Sequence, residues 1–328
     1  MKRNIIEKII IVSILYFIIS CQLFSQEKVK INREILIADL KYLSSKKLEG
    51  RKPSSAGSKI ALQYISNRFE LSKIEKFKNS YFQSFSFVYY SIKGLILPER
   101  KFKTEFVDAQ NIYGYINGNK YPNKFIVISA HYDHLGIKAG EIYPGADDNA
   151  SGVAAMFSLG DYFSKNQPNH SLIFAAFDGE ELGMHGVRYF FDNLPVSKNK
   201  IVLNINLDML SRNDKNQIFA SGLVHYKFLI PEIEKIKKIS KVEIMYGHDT
   251  SFLIDLTGDD WTTRGDHTLF YENNIPYIYF GVEDHPDYHK PTDTFENINQ
   301  DFYYNVAEMV LQFLLLLDFE IESIVKSK

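Results

Sequence analysis

The sequence predicts an α/β fold, in which buried strands alternate with helices along the chain. Two apolar runs, at residues 125–130 and 172–177, have the length and continuous hydrophobicity of strands that are buried on both faces. Between them, residues 153–162 form an apolar run of helical length, and residues 201–207 are a further strand candidate. This alternation is typical of a parallel sheet covered by helices.

Acidic and histidine residues follow the two buried-strand candidates where the hydrophobic residues stop. The small-residue loop at 145–152 carries two more acidic residues just before the helix candidate. In open α/β sheets, ligands bind beyond the carboxyl ends of the strands, so we expect these side chains to form one site. They are His131, Asp133, Asp147, Asp148, Asp178, Glu180 and Glu181.

Imidazole and carboxylate groups together suit Zn²⁺ and its first-row neighbours as ligands. A carboxylate has two oxygens, so one acidic residue can bridge two metal ions held about 4 Å apart. Each ion then needs ligands from elsewhere in the chain. Asp208, at the end of an apolar run, and His289, in the segment DYHKPTDT, are the candidates.

Five motifs in this order resemble one family: AHYDH, GADDNASG, DGEELG, NLDML and YHKPTDT. The family is that of the co-catalytic zinc aminopeptidases, whose relatives include glutamate carboxypeptidase II and the glutaminyl cyclases. The resemblance extends from about Leu48 to about Leu317. It implies a three-layer αβα fold with a central mixed, mostly parallel sheet flanked by helices.

The resemblance also implies two Zn²⁺ ions and their ligands. His131 and Asp208 would bind one ion, Glu181 and His289 would bind the other, and Asp148 would bridge them. In the family the bridging residue is the fourth of the G-A-x-D loop, which selects Asp148 here. A cis peptide bond commonly follows it, so we expect one between Asp148 and Asn149.

The same resemblance assigns roles in catalysis. Glu180 would take a proton from a water activated by the metals and pass it to the leaving amine. Asp133 would accept a hydrogen bond from the far ring nitrogen of His131 and so fix its tautomer. Tyr288, beside His289, is a candidate donor to the oxyanion, with a role as an ordinary buried tyrosine as the alternative.

The segment RGDHTLFY resembles a family loop of the form S-D-H-x-x-F, although Gly265 stands where the family often has serine. This gives Asp266 and His267 a place in the lining of the substrate site. Asp147 is expected to cap its loop. Four other histidines are expected to be surface or hydrogen-bond-satisfied residues: His134, His185, His248 and His285.

The elements before the site motifs follow from local patterns. Residues 31–45 and 58–71 are predicted helices, joined by KKLEGRKPSSAG, in which glycine and proline interrupt the helical pattern. Residues 77–107 are rich in aromatic residues that partly alternate, which favours strands or an edge hairpin. Residues 111–118 resemble the family strand that precedes the His131 strand.

The later elements continue the α/β pattern. Residues 182–191 are predicted to form a helix beginning at the glutamate pair, and 231–239 a helix with proline in its first turn. Residues 217–221 and 242–246 are strand candidates. Residues 301–325 have helical spacing, and their longest uncharged run is too short to span a membrane, so we expect a helix packed on the sheet.

The first residues are predicted to be a targeting segment. A basic start at Lys2, Arg3 and Lys8 precedes an apolar run at 9–20, as in a signal peptide. The segment 18–21 resembles a lipobox, which would make Cys21 a lipidated terminus, while the alternative is cleavage after Ser25. We therefore expect residues 1–20 to be removed, residues 21–328 to form one zinc peptidase domain, and the protein to be exported to the periplasm or cell envelope, or secreted.

Composition excludes other classes. Cys21 is the single cysteine, so no disulfide can form within the chain. Residues 1–20 contain three basic residues and one acidic residue, so their removal changes the net charge from −2 to −4. This mild acidity argues against a nucleic-acid surface. The oligomeric state is left open.

The function predicted from these residues is a metal-dependent exopeptidase, with an aminopeptidase acting on peptides preferred. A glutaminyl cyclase on the same fold is one alternative. A carboxypeptidase or dipeptidase would need a basic pocket, for which Arg188, Arg212 and Arg264 are available. A binding protein on an inactive scaffold is disfavoured because all candidate ligands and the candidate base are present.

Overall fold

An eight-stranded sheet runs through the protein, and its four central strands are parallel. The structure is a computed structural model that describes residues 30–93, 101–249 and 259–326. The segments predicted to be a signal peptide and a lipobox, with Cys21, lie outside these ranges. The residues from Ile31 onward belong to one compact unit.

The first half of the chain supplies three helices, an antiparallel strand pair and the first central strands. Its helices are α1 (Arg33–Leu43), α2 (Ala56–Leu71) and α3 (Gly152–Phe163), and its strands are β1 (Phe82–Lys93), β2 (Lys101–Ile116), β3 (Tyr121–His131), β4 (Gly136–Lys138), β5 (Glu141–Tyr143) and β6 (His170–Phe177).

The second half completes the sheet and both helical layers. Its helices are α4 (His185–Asp192), α5 (Ile230–Lys237), α6 (His267–Glu272) and α7 (Gln300–Lys326), and its strands are β7 (Ile201–Leu207), β8 (Gln217–Ser221), β9 (Glu243–Tyr246) and β10 (Tyr277–Gly281).

The strand order is β1-β2-β6-β3-β7-β10-β8-β9. Strands β6, β3, β7 and β10 are parallel to their neighbours within this group, and β8 pairs with β9 in parallel as well. The pairs β1/β2, β2/β6 and β10/β8 are antiparallel. The sheet is therefore mixed and mostly parallel, as predicted.

Helices cover both faces of the sheet. Helices α1, α2, α3, α5 and α7 are joined by mutual contacts in one layer, and α4 and α6 contact each other in the second layer. Alternate residues of the central strands, such as Phe125 and Val127, pack in a buried cluster with Val187 and Phe190 of α4 and Phe270 of α6. This confirms the predicted three-layer architecture.

Two boundaries differ from the predictions in an informative way. The helix after the glutamate pair begins only at His185, because Gly179, Gly183 and Met184 have positive φ angles and form a loop. Strand β2 joins two predicted pieces into 16 continuous residues. Only its last part, from Ile112, pairs with β6, so β2 continues past the carboxyl end of β6.

Helix α7 packs on the sheet, in agreement with the prediction. The expectation that its apolar run is too short to span a membrane was wrong: within the described ranges, Gln300–Glu322 is the one helix long and apolar enough to cross one. However, 61% of its apolar stretch is buried inside the protein. The Phe313 ring meets the Phe280 ring of β10 edge-on at 5.3 Å. The helix therefore has the contacts of a core helix.

Candidate metal centre

Three neighbouring parallel strands end beside one another and deliver the predicted ligands to one edge of the sheet. His131 is the last residue of β3, Asp208 follows the last residue of β7, and the Glu180–Glu181 pair follows β6. Because β6, β3 and β7 are adjacent in the sheet, these residues meet at its carboxyl edge.

The first cluster joins His131, Asp148 and Asp208, all buried. The Nε2 atom of His131 lies 3.3 Å from Oδ1 of Asp208 and 3.3 Å from Oδ1 of Asp148. Burial alone would lower the pKa of His131, but the Asp208 and Asp148 carboxylates hold it well above its usual range.

The second cluster forms around the other oxygen of Asp148. Its Oδ2 atom lies 3.0 Å from Nε2 of His289, and that same nitrogen lies 3.3 Å from Oε2 of Glu181. Burial opposes protonation of His289, but hydrogen bonds to the two carboxylates raise its pKa to about 10. Asp148 therefore presents one oxygen to each cluster.

His134 is a site residue that the sequence reasoning missed. It was expected to be a surface or hydrogen-bond-satisfied residue; it is fully buried, and its Nδ1 atom lies 2.7 Å from Oε1 of Glu181 and 3.7 Å from Oδ2 of Asp148. Its Nε2 atom has no hydrogen-bond partner in the part of the chain that the structure describes. The signal was present, because His134 follows His131 by three residues in the motif AHYDH.

The pKa values of Asp148 and Glu180 are shifted in opposite directions. Burial would raise the pKa of Asp148, but the facing imidazoles of His134, His131 and His289 hold it well below its usual range. For Glu180, burial and the nearby carboxylates, led by Asp266, raise the pKa well above its usual range despite His131. Glu180 is thus one of the carboxyl groups at this edge whose raised pKa suits it to hold a proton, together with Asp133, Asp208 and Asp266.

Asp133 contacts the site in a different way from the prediction. The ring Nδ1 of His131 lies 3.2 Å from the backbone carbonyl of Asp133, whereas the nearest carboxylate oxygen is 3.8 Å away. That carboxylate instead accepts the backbone N–H groups of Glu180 at 3.1 Å and Glu181 at 3.3 Å. Asp133 therefore holds the glutamate pair as well as the histidine.

The loop that carries Asp148 is anchored by a second acidic residue, Asp293. Its carboxylate accepts the backbone N–H of Asp147 at 2.9 Å and that of Asp148 at 3.1 Å. Asp147 caps the loop as expected, since it accepts the backbone and hydroxyl groups of Ser211 at 2.6 and 2.8 Å. The peptide bond between Asp148 and Asn149 is cis, as predicted.

Arg51, from the predicted LEGR turn, ties these loops together. It is 1% exposed and donates to the carbonyls of Tyr132 at 2.7 Å, Pro144 at 2.6 Å and Gly145 at 2.9 Å, and to that of Leu43 at 2.7 Å. Burial lowers its pKa to about 10, so it remains charged at neutral pH. The positive charge of Arg51 thus offsets part of the negative charge of the candidate metal centre.

The three residues predicted to line the substrate site lie beside the clusters. The Tyr288 ring stacks on the His289 ring with centroids 4.0 Å apart. Asp266 is buried, and neither carboxylate oxygen has a hydrogen-bond partner among residues the structure describes; burial raises its pKa to about 7. His267 places Nε2 2.8 Å from the Trp261 carbonyl, and burial lowers its pKa to about 4.

Two of the other histidines are hydrogen-bonded, as predicted: His248 Nδ1 lies 2.7 Å from Oδ1 of Asp259, and His285 Nε2 lies 3.1 Å from Oδ2 of Asp147. His185 is partly buried and stacks on the Phe87 ring with centroids 3.8 Å apart. Tyr279 is an additional buried residue near the clusters, and burial together with Asp208 raises its pKa. No sequence motif pointed to Tyr279, which the fold brings in from β10.

An α/β sheet with two histidine–carboxylate clusters that share one aspartate has the arrangement of a two-metal hydrolase. Residues 111–314, more than half of the chain, match Peptidase family M28, and the chain belongs to that family. This confirms the resemblance read from the motifs.

Individual relatives support the same placement. Aminopeptidase YwaD of Bacillus subtilis (strain 168) is 27% identical over 216 residues, covering 62% of this chain and 43% of its own. A probable zinc metalloprotease of Leptosphaeria maculans is 24% identical over 221 residues, covering 60% of this chain and 49% of its own. This chain thus aligns with less than half of each of these relatives.

Among solved structures, an aminopeptidase from Aneurinibacillus sp. strain AM-1 superposes with a TM-score of 0.70. The identity is 17%, and the match covers 87% of this chain and 93% of that one. The likeness shows that the two proteins share a fold over almost their whole lengths.

Proposed function

We propose that this protein is a two-zinc exopeptidase that releases amino-terminal residues from peptides. The observation that carries the proposal is the position of Asp148, whose two oxygens face separate histidine-containing clusters. Membership of Peptidase family M28 and the names of the relatives, an aminopeptidase and a zinc metalloprotease, support the same activity.

The donor groups fit Zn²⁺. His131, Asp208 and Asp148 would hold one ion, and Asp148, Glu181 and His289 would hold the other. The Nδ1 atom of His134, 2.7 Å from Oε1 of Glu181, places a further nitrogen at the second cluster. Zinc held by these residues would supply a Lewis acid that polarises a peptide carbonyl and would lower the pKa of a water molecule towards neutrality.

The protein's own groups would then move the proton and stabilise charge. Glu180 would accept the proton of the attacking water and return it to the leaving amine, a role suited by its raised pKa. Asp133 would hold Glu180 in place through the backbone. The Tyr288 hydroxyl, positioned by the stack on His289, would donate to the oxyanion.

The surroundings favour an amino terminus over a carboxyl terminus as the recognised end. The buried Asp266 carboxylate, with both oxygens unpartnered within the described residues, suits the positively charged α-amine of a substrate. A carboxypeptidase would need a free cation instead. None of the three candidate arginines forms a basic pocket. Arg188 and Arg264 are exposed, and Arg212 is paired with acidic residues, 3.4 Å from Asp287 and 3.6 Å from Asp214.

We also propose that the protein is exported, with residues 1–20 as a signal peptide and 21–328 as one peptidase domain. The basic and apolar start of the chain supports this proposal. Lipidation of Cys21 would attach the mature protein to a membrane. Mass spectrometry of the mature amino terminus tests both points, since unprocessed Met1 would refute export and a free Gln26 terminus would refute lipidation.

The test of function combines metal analysis with hydrolysis of aminoacyl-arylamides and dipeptides, for the wild type and Glu180→Gln. We expect about two zinc ions per chain. The variant should keep both ions and lose about 100-fold or more in kcat, as expected for a general base. Glu272→Gln, an exposed residue at the end of α6, is the matched control.

Other outcomes would redirect the assignment. Metal binding with no hydrolysis, together with cyclisation of amino-terminal glutamine, would establish the glutaminyl cyclase alternative. Hydrolysis confined to peptides with a free carboxyl terminus would establish a carboxypeptidase. Absence of both metal binding and hydrolysis would support the alternative of a binding protein on an inactive scaffold.

A further inference from the structure

Strands β1 and β2 form a two-stranded ribbon that extends beyond the rest of the sheet. The two strands pair from Phe82 to Lys93 of β1, whereas β2 pairs with β6 only from Ile112, the partner of Phe82. The ribbon therefore projects past the carboxyl end of β6, where the loop with Glu180 begins. Phe87 lies five residues beyond Phe82, which is about 17 Å along an extended strand.

The Phe87 ring packs against the turn that carries Glu180. A Cβ atom on Gly179 would lie 3.3 Å from Cε1 and 3.4 Å from Cζ of this ring. Gly179 also has a φ angle of 71°, a left-handed conformation that favours glycine. Glycine at this position thus allows both the backbone conformation of the turn and the close approach of the ring.

His185, the first residue of α4, contacts both the ring and the turn. Its ring stacks on the Phe87 ring with centroids 3.8 Å apart and an angle of 15° between the planes. Its backbone N–H donates to the Gly179 carbonyl at 3.1 Å, and the next carbonyl, that of Glu180, accepts the N–H of Met184 at 2.9 Å. The stacked rings are therefore attached to the turn through the backbone as well.

Asp133 holds the same turn through two further hydrogen bonds. Its buried carboxylate accepts the backbone N–H groups of Glu180 at 3.1 Å and Glu181 at 3.3 Å. The backbone around Glu180 is therefore fixed by polar contacts with Asp133 and by packing of Phe87 on Gly179. Because a displacement of about 1 Å can cost a catalytic group much of its effect, contacts that fix this backbone matter for function.

We propose that Phe87 is a positioning residue for Glu180: its ring, stacked on His185, keeps the Gly179 turn in the conformation that directs the Glu180 carboxylate to the metal centre. This inference rests on the proposed role of Glu180 as the general base. Through Phe87, a strand pair at the edge of the sheet controls the geometry of a site at the centre of the sheet.

Phe85 provides a matched comparison, because it lies two residues before Phe87 on the same face of β1. Its ring stacks on that of Tyr189 in α4 with centroids 5.1 Å apart. Phe85 is 8% exposed, and Phe87 is only partly buried. Removal of the Phe85 ring should therefore cost more stability, whereas removal of the Phe87 ring should cost more activity.

The test compares Phe87→Ala and Phe85→Ala in the zinc-loaded protein, with leucine p-nitroanilide as the substrate. Phe87→Ala should lower kcat about tenfold or more, change KM by no more than about twofold and leave the zinc content unchanged, because only the base is displaced. Phe85→Ala should change kcat by no more than about twofold, although it lowers the urea midpoint at least as far. Rings that acted through stability alone would give the opposite order of activities.

Amide hydrogen exchange of peptides that span residues 178–186 provides a readout that needs no activity. Exchange should be at least about tenfold faster in Phe87→Ala and unchanged in Phe85→Ala, because only the first variant loosens the turn. His185→Ala should reproduce the faster exchange and the lower kcat. His185→Phe, which keeps a flat ring for the stack, should retain slow exchange and the wild-type kcat.

Two results would overturn the proposal: equal losses of kcat in Phe87→Ala and Phe85→Ala, or unchanged exchange of residues 178–186 in Phe87→Ala. Failure of the proposed function has a different signature. A protein that is inactive on all peptides, but in which exchange of this segment rises in Phe87→Ala and not in Phe85→Ala, would refute the peptidase assignment and support the positioning of the turn by Phe87.

Discussion

Asp148 connects the two halves of the candidate metal centre. Its Oδ1 atom faces His131, and its Oδ2 atom faces His289. A residue with one oxygen for each ion cannot be replaced by one that offers a single acceptor. The carboxylate of Asp293, far along the chain, accepts the backbone N–H of Asp148 and so helps to hold this residue in place.

Asp148→Asn should reduce binding of both ions, because the amide keeps one oxygen and lacks the negative charge. We expect less than one ion per chain to remain after dialysis, against about two in the wild type. Asp192→Asn, at an exposed residue at the end of α4, is the control. Retention of two ions by Asp148→Asn would show that the aspartate does not bridge.

Arg51 shows how a single side chain can support a site that it does not enter. Arg51→Met would leave buried carbonyls of Tyr132, Pro144 and Gly145 without their donors. We expect a loss of about 3 kcal/mol or more in the free energy of unfolding, measured by urea denaturation. Arg33→Met, which removes an exposed ion pair with Asp301, should change stability by no more than about 1 kcal/mol.

At the scale of elements, helix α7 packs inside the protein against strand β10, although its composition alone would also suit a helix that spans a membrane. The helix is apolar enough to cross a membrane, yet much of its apolar stretch packs inside the protein. Within it, Phe313 is 0% exposed, whereas Phe319 is 77% exposed. Helix α7 thus has one phenylalanine in the core and another at the surface.

Phe313→Ala should lower the free energy of unfolding by about 3–5 kcal/mol, as truncation of a buried aromatic residue does. Phe319→Ala should change it by about 0.5 kcal/mol or less. Urea denaturation of the purified protein without detergent measures both. Equal effects of the two variants would contradict the assignment of α7 as a core helix.

The strands and helices that hold the site were predictable because each has a local signature. Continuous apolar runs gave β3, β6 and β7, and the residues after them gave His131, Glu180, Glu181 and Asp208. His134 was not assigned to the site, although it lies three residues after His131 in the motif AHYDH, because spacing alone does not show that its ring turns towards Glu181. Arg51 and Tyr279 reach the site through contacts between distant segments, which no periodicity encodes.

At the scale of the whole molecule, the site concentrates titratable groups whose pKa values are shifted by burial. Burial and Asp147 raise the pKa of Asp293 to about 7, and burial raises that of Asp266 to about 7. The carboxylates of Asp148 and Glu181 raise the pKa of His289 to about 10 against the effect of burial. In each of these groups the folded state binds protons more tightly than the unfolded chain.

The chelated, metal-free protein should therefore lose stability as the pH rises from 6 to 9. A raised pKa contributes stability that is complete below the unfolded pKa and is lost as the pH passes the folded pKa, which is about 7 for Asp293 and about 10 for His289. The urea midpoint at pH 6 and pH 9 measures this. His289→Asn should reduce the difference, and a midpoint that increases with pH would contradict the expectation.

The short segment from His289 to Asp293 contributes to both halves of the centre at once. His289 faces the second cluster directly, while Asp293 anchors the loop that carries Asp148. If binding of one ion fixes this segment, the ligands of the other ion are fixed at the same time. Binding of zinc to the metal-free protein should therefore be cooperative, with few molecules that contain one ion during a titration, because both ions depend on the same ordered turn.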